Sequence, residues 1–200
     1  MSKVNFENSV GFEVNGQKFR VKHAVQAQNI FRHVVRRAED IGMKVNAKKT
    51  AMMCTSGATE YKADAYMFDS EGNRIGCTEF VKALGVYLSS DLTLTRQVDV
   101  VARRFRQRYW TLRNLKKNGF NEEELVHVYK TMLRPIAEYA CVAFHSSFTD
   151  AQDELIERLQ DNALKCIFGP GISARRMRDL ADLPTLRARR IELTDKFAKK

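Results

Sequence analysis

Cysteine is scarce and scattered in this 200-residue chain: Cys54, Cys77, Cys141 and Cys166 stand far apart, and no C-x-x-C occurs. That spacing excludes an obvious zinc ribbon and argues against a disulfide scaffold, so the expectation is an intracellular protein with reduced thiols. Long apolar runs are missing as well. No stretch approaches the ~20 residues that span a bilayer, and the opening Met-Ser-Lys-Val-Asn-Phe-Glu-Asn lacks the apolar segment of a signal peptide, so no membrane partner is expected. There is no internal repeat and no low-complexity tract. Acidic residues are the minority, 24 against 34 Lys and Arg, which leaves a net charge of +10. A basic surplus of that size favours a polyanionic partner such as nucleic acid or an anionic membrane face. The rest of the composition, 44% hydrophobic and 29% charged, is ordinary for a folded globular protein. The length suits one or two domains with a buried core.

The first half reads as mixed α and β. Val10–Val14 and Gln17–Val21 flank Asn15-Gly16, a dipeptide that tolerates the positive φ angles of a two-residue hairpin turn. A helix is predicted from about His23 to Ile41, because Ala27, Phe31, Val34, Ala38 and Ile41 recur at spacings of four and three. Gly42 suits the left-handed position beyond its end. Ala51–Cys54 fits a short buried strand. Ala65–Phe68 and Arg74–Cys77 flank a turn-rich Asp69-Ser-Glu-Gly-Asn73 and predict a second hairpin. Lys82–Leu88 reads as a further strand with a glycine inside it, the mark of a bulge or of close backbone approach.

From Thr95 onward the pattern is helical. Val98, Val101, Ala102, Phe105, Tyr109 and Leu112 form one apolar face, ended by Asn118-Gly119. Asn121 with Glu124 caps the next helix, whose stripe is Leu125, Val128, Tyr129, Met132, Ile136 and Tyr139. Pro135 is expected to kink or shorten it. Thr149 with Gln152 reads as a capping box for a helix carrying Leu155, Leu159, Ala163 and Cys166, broken at Gly169-Pro-Gly171. A short basic segment, Ser173–Leu180, and a last helix after Pro184 complete an α+β chain. Strand patterns stop near residue 94.

Positive charge is concentrated. Arg103, Arg104, Arg106, Arg108, Arg113, Lys116 and Lys117 fall within fifteen residues that hold no acid. At about 100° per residue, Arg103, Arg106, Trp110, Arg113 and Lys117 share one side beside the apolar stripe. A tryptophan among arginines can stack on a base while guanidinium groups meet phosphates; the alternative is that Trp110 packs on a neighbouring helix. A second basic cluster, Arg175, Arg176, Arg178, Arg187, Arg189 and Arg190, is diluted by Asp179 and Asp182.

The order of motifs is that of a known family. Ile41-Gly-Met-Lys-Val-Asn-Ala-Lys-Lys49-Thr50, after an amphipathic helix, resembles motif D of reverse transcriptases. Leu84-Gly85-Val86-Tyr-Leu88 looks like motif E, the primer grip. Val128–Tyr139, Leu155–Gly169 and Leu183–Arg190 are similar to successive thumb segments of non-LTR retrotransposon polymerases. The resemblance covers nearly the whole chain. It implies the C-terminal part of a palm (residues 1–94, β-hairpins and one helix), an all-α helical thumb (95–170) and a basic C-terminal helical extension (171–200). The implied partners are an RNA template and DNA primer and the upstream palm and fingers of the same polyprotein; the nucleus is the implied location.

The departures from the family pattern are informative. The family's activity, RNA-directed DNA polymerase, uses Mg²⁺ held by palm aspartates in motif A and in a Y/F-x-D-D turn. Neither motif is here, and no two aspartates are adjacent anywhere. The implied reading is a polymerase fragment, inactive alone, with no metal site and no Mg²⁺ expected to bind this chain specifically. A truncated element copy and a partial reading frame would each produce it. By resemblance Lys49 takes the motif D role, steadying a triphosphate or protonating pyrophosphate, with Lys48 as competitor. Leu84, Gly85 and Val86 would present backbone to a primer. Arg103, Arg106, Trp110, Arg113 and Lys117 would lie along the duplex. Phe105, Leu112, Tyr129, Met132, Tyr139, Leu155 and Leu159 read as core. Cys141 and His145 stand four apart with no third ligand, and Cys54 and Cys77 read as small buried hydrophobes. The rival class is a stand-alone basic helical nucleic-acid-binding module.

Overall fold

The computed structural model describes residues 9–14, 17–21, 24–55, 66–144 and 147–199. The chain is α+β and divides into two compact units, Met1–Thr93 and Leu94–Lys200. All described strands belong to the first.

In the first unit, β1 (Ser9–Val14) and β2 (Gln17–Val21) pair antiparallel with Phe12 opposite Phe19. The Asn15-Gly16 turn lies outside the described residues. β3 (Ala51–Thr55) joins the other edge of β1, also antiparallel, for a sheet order β2-β1-β3. Met52, Met53 and Cys54 are all buried, as an apolar run without alternation requires. Helix α1 (Ala24–Asp40) buries Ala27, Phe31, Val35 and Ala38, with Val34 only partly covered. Ile41, expected on that stripe, is 70% exposed. The helix has already ended: Gly42 sits at φ +75° and the Met43 N–H turns back to Ala38 O at 2.8 Å, so Ile41 no longer keeps helical phase.

The second hairpin is β4 (Tyr66–Phe68) with β5 (Arg74–Gly76). Its turn is organised by Asp69, whose carboxylate accepts from the N–H groups of Glu71 (2.9 Å) and Asn73 (2.8 Å) and from Asn73 Nδ2 (3.0 Å). These bonds, the Asn73 side chain foremost, hold the Asp69 carboxyl below its ordinary value. The amide of Gln28 on α1 accepts from the Phe68 N–H (2.6 Å) and donates to Phe68 O (3.0 Å), docking β4 as a strand neighbour would.

Lys82–Leu88 is not the single strand its pattern predicts. It is a third hairpin, β6 (Phe80–Ala83) and β7 (Val86–Ser89), antiparallel about Leu84-Gly85. Both turn residues are left-handed, at φ +47° and +83°, as a two-residue type I′ turn demands. Gly85 therefore serves a turn and not a bulge. Leu-Gly lacks the Asn or Asp that usually announces such a turn, so the apolar pattern reads straight across it.

In the second unit, α2 (Thr95–Lys117) sinks Val98, Val101, Ala102, Phe105 and Leu112 into the core. Gly119, at φ +85°, follows its end. Asn121 and Glu124 complete a reciprocal capping box at the start of α3 (Glu122–Val128). Beyond it the predicted stripe fails. Met132 and Tyr139 are 37% and 51% exposed, while Leu133 and Ala137 are buried in their stead. Tyr129–Leu133 is a π-helical turn, with the Arg134 N–H bonding back to Tyr129 O. Pro135, at the head of α4 (Arg134–Glu138), has no N–H for the carbonyl four residues earlier; the wider turn absorbs this and moves the buried positions from Met132 and Ile136 to Leu133 and Ala137, while Tyr139 already lies past the helix end.

Thr149 and Gln152 form the expected capping box of α5 (Asp150–Phe168). Ser173 caps α6 (Ala174–Ala181) and Thr185 caps α7 (Leu186–Ala198). Residues 171–200 are not an appendage to the helical bundle: Met177, Ala181, Leu183 and Leu186 share one core with Phe105, Leu125, Tyr129, Ile156, Leu164 and Ile167. Tyr129 Oη donates to Gln160 Oε1 (2.6 Å) and Gln160 Nε2 donates to Pro184 O (3.0 Å). Burial raises the Tyr129 phenol far above its ordinary value and keeps it a neutral donor.

Candidate nucleic-acid interface

Helix α2 has one apolar stripe and spends it on the core, so the flank beside the stripe must face water. Arg103, Arg106, Trp110, Arg113 and Lys117 all stand exposed there. Trp110 is 66% exposed, which removes the alternative that it packs on a neighbouring helix. Among the described residues, Arg103, Arg104, Arg106, Arg108, Arg113 and Lys117 form no salt bridge. Lys116 differs: its Nζ donates to Ile167 O at 2.8 Å, at the negative end of α5, and is used by the fold.

Between α2 and α5 runs a groove of about 600 Å³. Phe105, Tyr109, Leu155 and Leu159 supply its apolar lining, Arg106 and Arg158 its cations, and Asn162 an amide. Burial, then its electrostatic interaction and hydrogen bond with Cys166, pushes the Tyr109 phenol above its ordinary value. Arg158 and Asn162 carry no signal in the sequence beyond helical spacing on α5; only the packing of α5 against α2 brings them to Arg106.

The second basic cluster behaves otherwise. Arg190 is 1% exposed, its Nη2 hydrogen-bonded to Asp153 and its guanidinium 5.1 Å from the Phe148 ring centroid. Arg178 Nη1 pairs with Asp161 at 2.8 Å, and Arg189 with Glu192 at 2.7 Å and Glu138 at 3.3 Å. Arg187 Nε lies 3.5 Å from Asp153. The Glu157 carboxylate accepts from the N–H groups of Leu186 (3.1 Å) and Arg187 (2.6 Å), closing the start of α7. Four of the six arginines are thus bound to acids of their own unit; Arg175 and Arg176 remain exposed.

In the first unit, Lys49 is exposed at the end of a 3-10 turn, Ala47–Lys49, whose N–H donates to Asn46 O at 3.0 Å. Its neighbour Lys48 lines a groove of about 770 Å³ with Lys44, Asn46, Arg74, Asp69 and Glu71. Three cations and two acids there, with Lys44 and Glu71 already 3.4 Å apart, make a mixed surface rather than an anion cradle. Leu84, Gly85 and Val86 stand at the β6–β7 hairpin, the Leu84 side chain 82% exposed. Lys49 and this hairpin are on separate elements from each other and belong to the other unit from the α2 face.

Among the described residues, no three His, Cys, Asp or Glu side chains converge to hold an ion. Asp69 and Asp91 are occupied by their own turns, Asp91 Oδ1 accepting from Thr93 N–H and Oγ1 at 2.9 Å each. Cys141 is buried, and His23, Asp64 and His145 lie outside the described residues. No described helix is long and apolar enough to cross a membrane. No family model, no curated protein and no solved structure matches the chain.

Proposed function

We propose that this chain holds nucleic acid along the α2 face, as the thumb-bearing C-terminal part of a non-LTR retrotransposon reverse transcriptase would hold its template–primer. The observation that carries the reading is a row of exposed guanidinium groups without acidic partners, interrupted by an exposed indole. Guanidinium groups meeting phosphates give sequence-independent affinity, and an indole face accepts a base or sugar. An RNA–DNA hybrid, recognised by shape and backbone, suits such a surface. The palm assignment rests on the motif D and motif E resemblance alone, and polymerisation is assigned to the intact family enzyme, not to this chain.

The test is fluorescence anisotropy of a labelled RNA–DNA hybrid titrated with the full chain at several salt concentrations. The expected result is binding that weakens steeply with salt and varies little with sequence. Failure to bind at low salt overturns the proposal. An in-frame Y/F-x-D-D codon run upstream of Met1 separates the polymerase reading from a stand-alone binding module.

A further inference from the structure

We propose that Cys54 and Cys77 are a redox-modification site, a dithiol that hydrogen peroxide converts to a disulfide stapling the three-stranded sheet to the hairpin segment beside it. The inference is independent of nucleic-acid binding. Although 23 residues apart, the two sulfurs are neighbours: Cys77 Sγ donates to Cys54 Sγ at 2.8 Å and accepts from the Cys54 N–H at 3.0 Å. The backbone holds them in place. Cys77 bridges Met52 in parallel register, and both the N–H and the Oγ1 of Thr78 donate to Met52 O, at 2.8 and 3.1 Å. Cys54 itself is opposite Val10 in the β1–β3 ladder. Register on both sides therefore fixes the sulfurs' approach, and little ordering remains before a bond can form.

Accessibility sets the order of events. Cys54 is buried and Cys77 only partly so. Peroxide oxidises the Cys77 thiol to a sulfenic acid and is itself reduced to water. The Cys54 sulfur, giving up its proton, then attacks the Cys77 sulfur and expels the hydroxyl as a second water. Two thiols have lost two electrons and two protons, and one peroxide has become two waters. The new bond adds a covalent link at the Met52–Cys77 bridge. Cys141 and Cys166 belong to the other unit and serve as internal controls.

The test is limiting hydrogen peroxide on the reduced full chain, alkylation of the remaining thiols, and tryptic mapping by mass spectrometry. The expected product is peptide 50–62 linked to peptide 75–82, two hydrogens lighter than the reduced pair and released by dithiothreitol. The oxidised chain should also unfold at a midpoint several degrees higher, because the link restricts the unfolded chain. Cys77→Ser should abolish the link and leave Cys54 alkylatable. Mapping on the wild-type chain decides the matter even if that variant folds poorly. The proposal is overturned if Cys54 and Cys77 are recovered as separate alkylated or over-oxidised peptides, if Cys54 couples to Cys141 or Cys166, or if the linked chain is no more stable.

Discussion

Arginine has two fates in the helical unit. Along α2, Arg103, Arg104, Arg106, Arg108 and Arg113 stand exposed and form no salt bridge among the described residues; on α6 and α7 four of six arginines are tied to Asp153, Asp161, Glu138 and Glu192. The two stretches are similarly basic as strings of letters. What separates them is the carboxylates within reach: Asp153 and Asp161 on α5, Glu138 on α4 and Glu192 on α7 itself. Charge density marks a candidate surface, whereas the availability of the charge depends on which carboxylates the fold brings within reach. Arg190 is the extreme: it is enclosed, ion-paired, and has a buried Nη1 without a hydrogen-bond partner. Such a pair is stabilising chiefly in the sense that removing one member strands the other.

The largest expected effect lies there. Arg190→Met should destabilise the chain by up to about 3–5 kcal/mol in urea unfolding, because Asp153 keeps its charge in a largely buried site with only the exposed Arg187, 3.5 Å away, to balance it. Adding Asp153→Leu should recover part of that loss, and a double-mutant cycle reads the coupling. If the single variant is neutral, the division between structural and available arginines fails. Next comes the mirror experiment. Reversing Arg103, Arg106 and Arg113 to Glu should leave stability within about 0.5 kcal/mol per site. Hybrid affinity should fall by roughly tenfold or more, with the salt slope flattening by roughly 0.7–0.9 for each phosphate that is no longer neutralised. Unchanged affinity would move the binding surface elsewhere. Trp110→Ala sharpens the same contrast: a loss of about 1 kcal/mol in single-strand affinity, and no change in thermal midpoint.

The smallest effect concerns Glu192. Its hydrogen bond from Lys196 (2.5 Å), then that from Arg189, lowers its carboxyl from 4.5 to about 2. A folded-state value below the unfolded one means a contribution fully present above pH 4.5 and lost as the pH falls through about 2. Glu192→Gln should therefore narrow the acid sensitivity of the thermal midpoint across that window, with the two chains converging at its acid end. Guanidinium groups without carboxylate partners confer no such dependence, so replacing Arg103, Arg106 and Arg113 by Gln should keep the parent's acid profile.

Local signals in the sequence transferred to the structure where their physics was local. The Asn121–Glu124 and Thr149–Gln152 boxes need only one turn of chain to form, and both are present. Gly42 and Gly169 occupy left-handed positions just after helix ends for the same reason. The exposed α2 face was likewise legible, since one helix cannot bury all its sides. Periodicity failed where a single backbone event resets the phase. The π-turn before Pro135 exposes Met132 and buries Leu133 and Ala137, and the helix end at Glu138 leaves Tyr139 out; the Leu84-Gly85 turn folds an apparent strand in two. Arg158 and Asn162, and the meeting of Cys54 with Cys77, had no local signature because their partners lie on other elements.

The order of amino acids by itself determined the helix caps, the apolar stripe of α2, the surplus of positive charge and its crowding onto that helix. These follow from hydrogen bonds and solvation over a few residues. Only tertiary packing decided which arginines stay in water, which thiols touch and which face of a helix turns inward past a proline. Those outcomes depend on groups brought together from distant positions, where the energy of a charge or a sulfur is set by its surroundings and not by its neighbours in the chain.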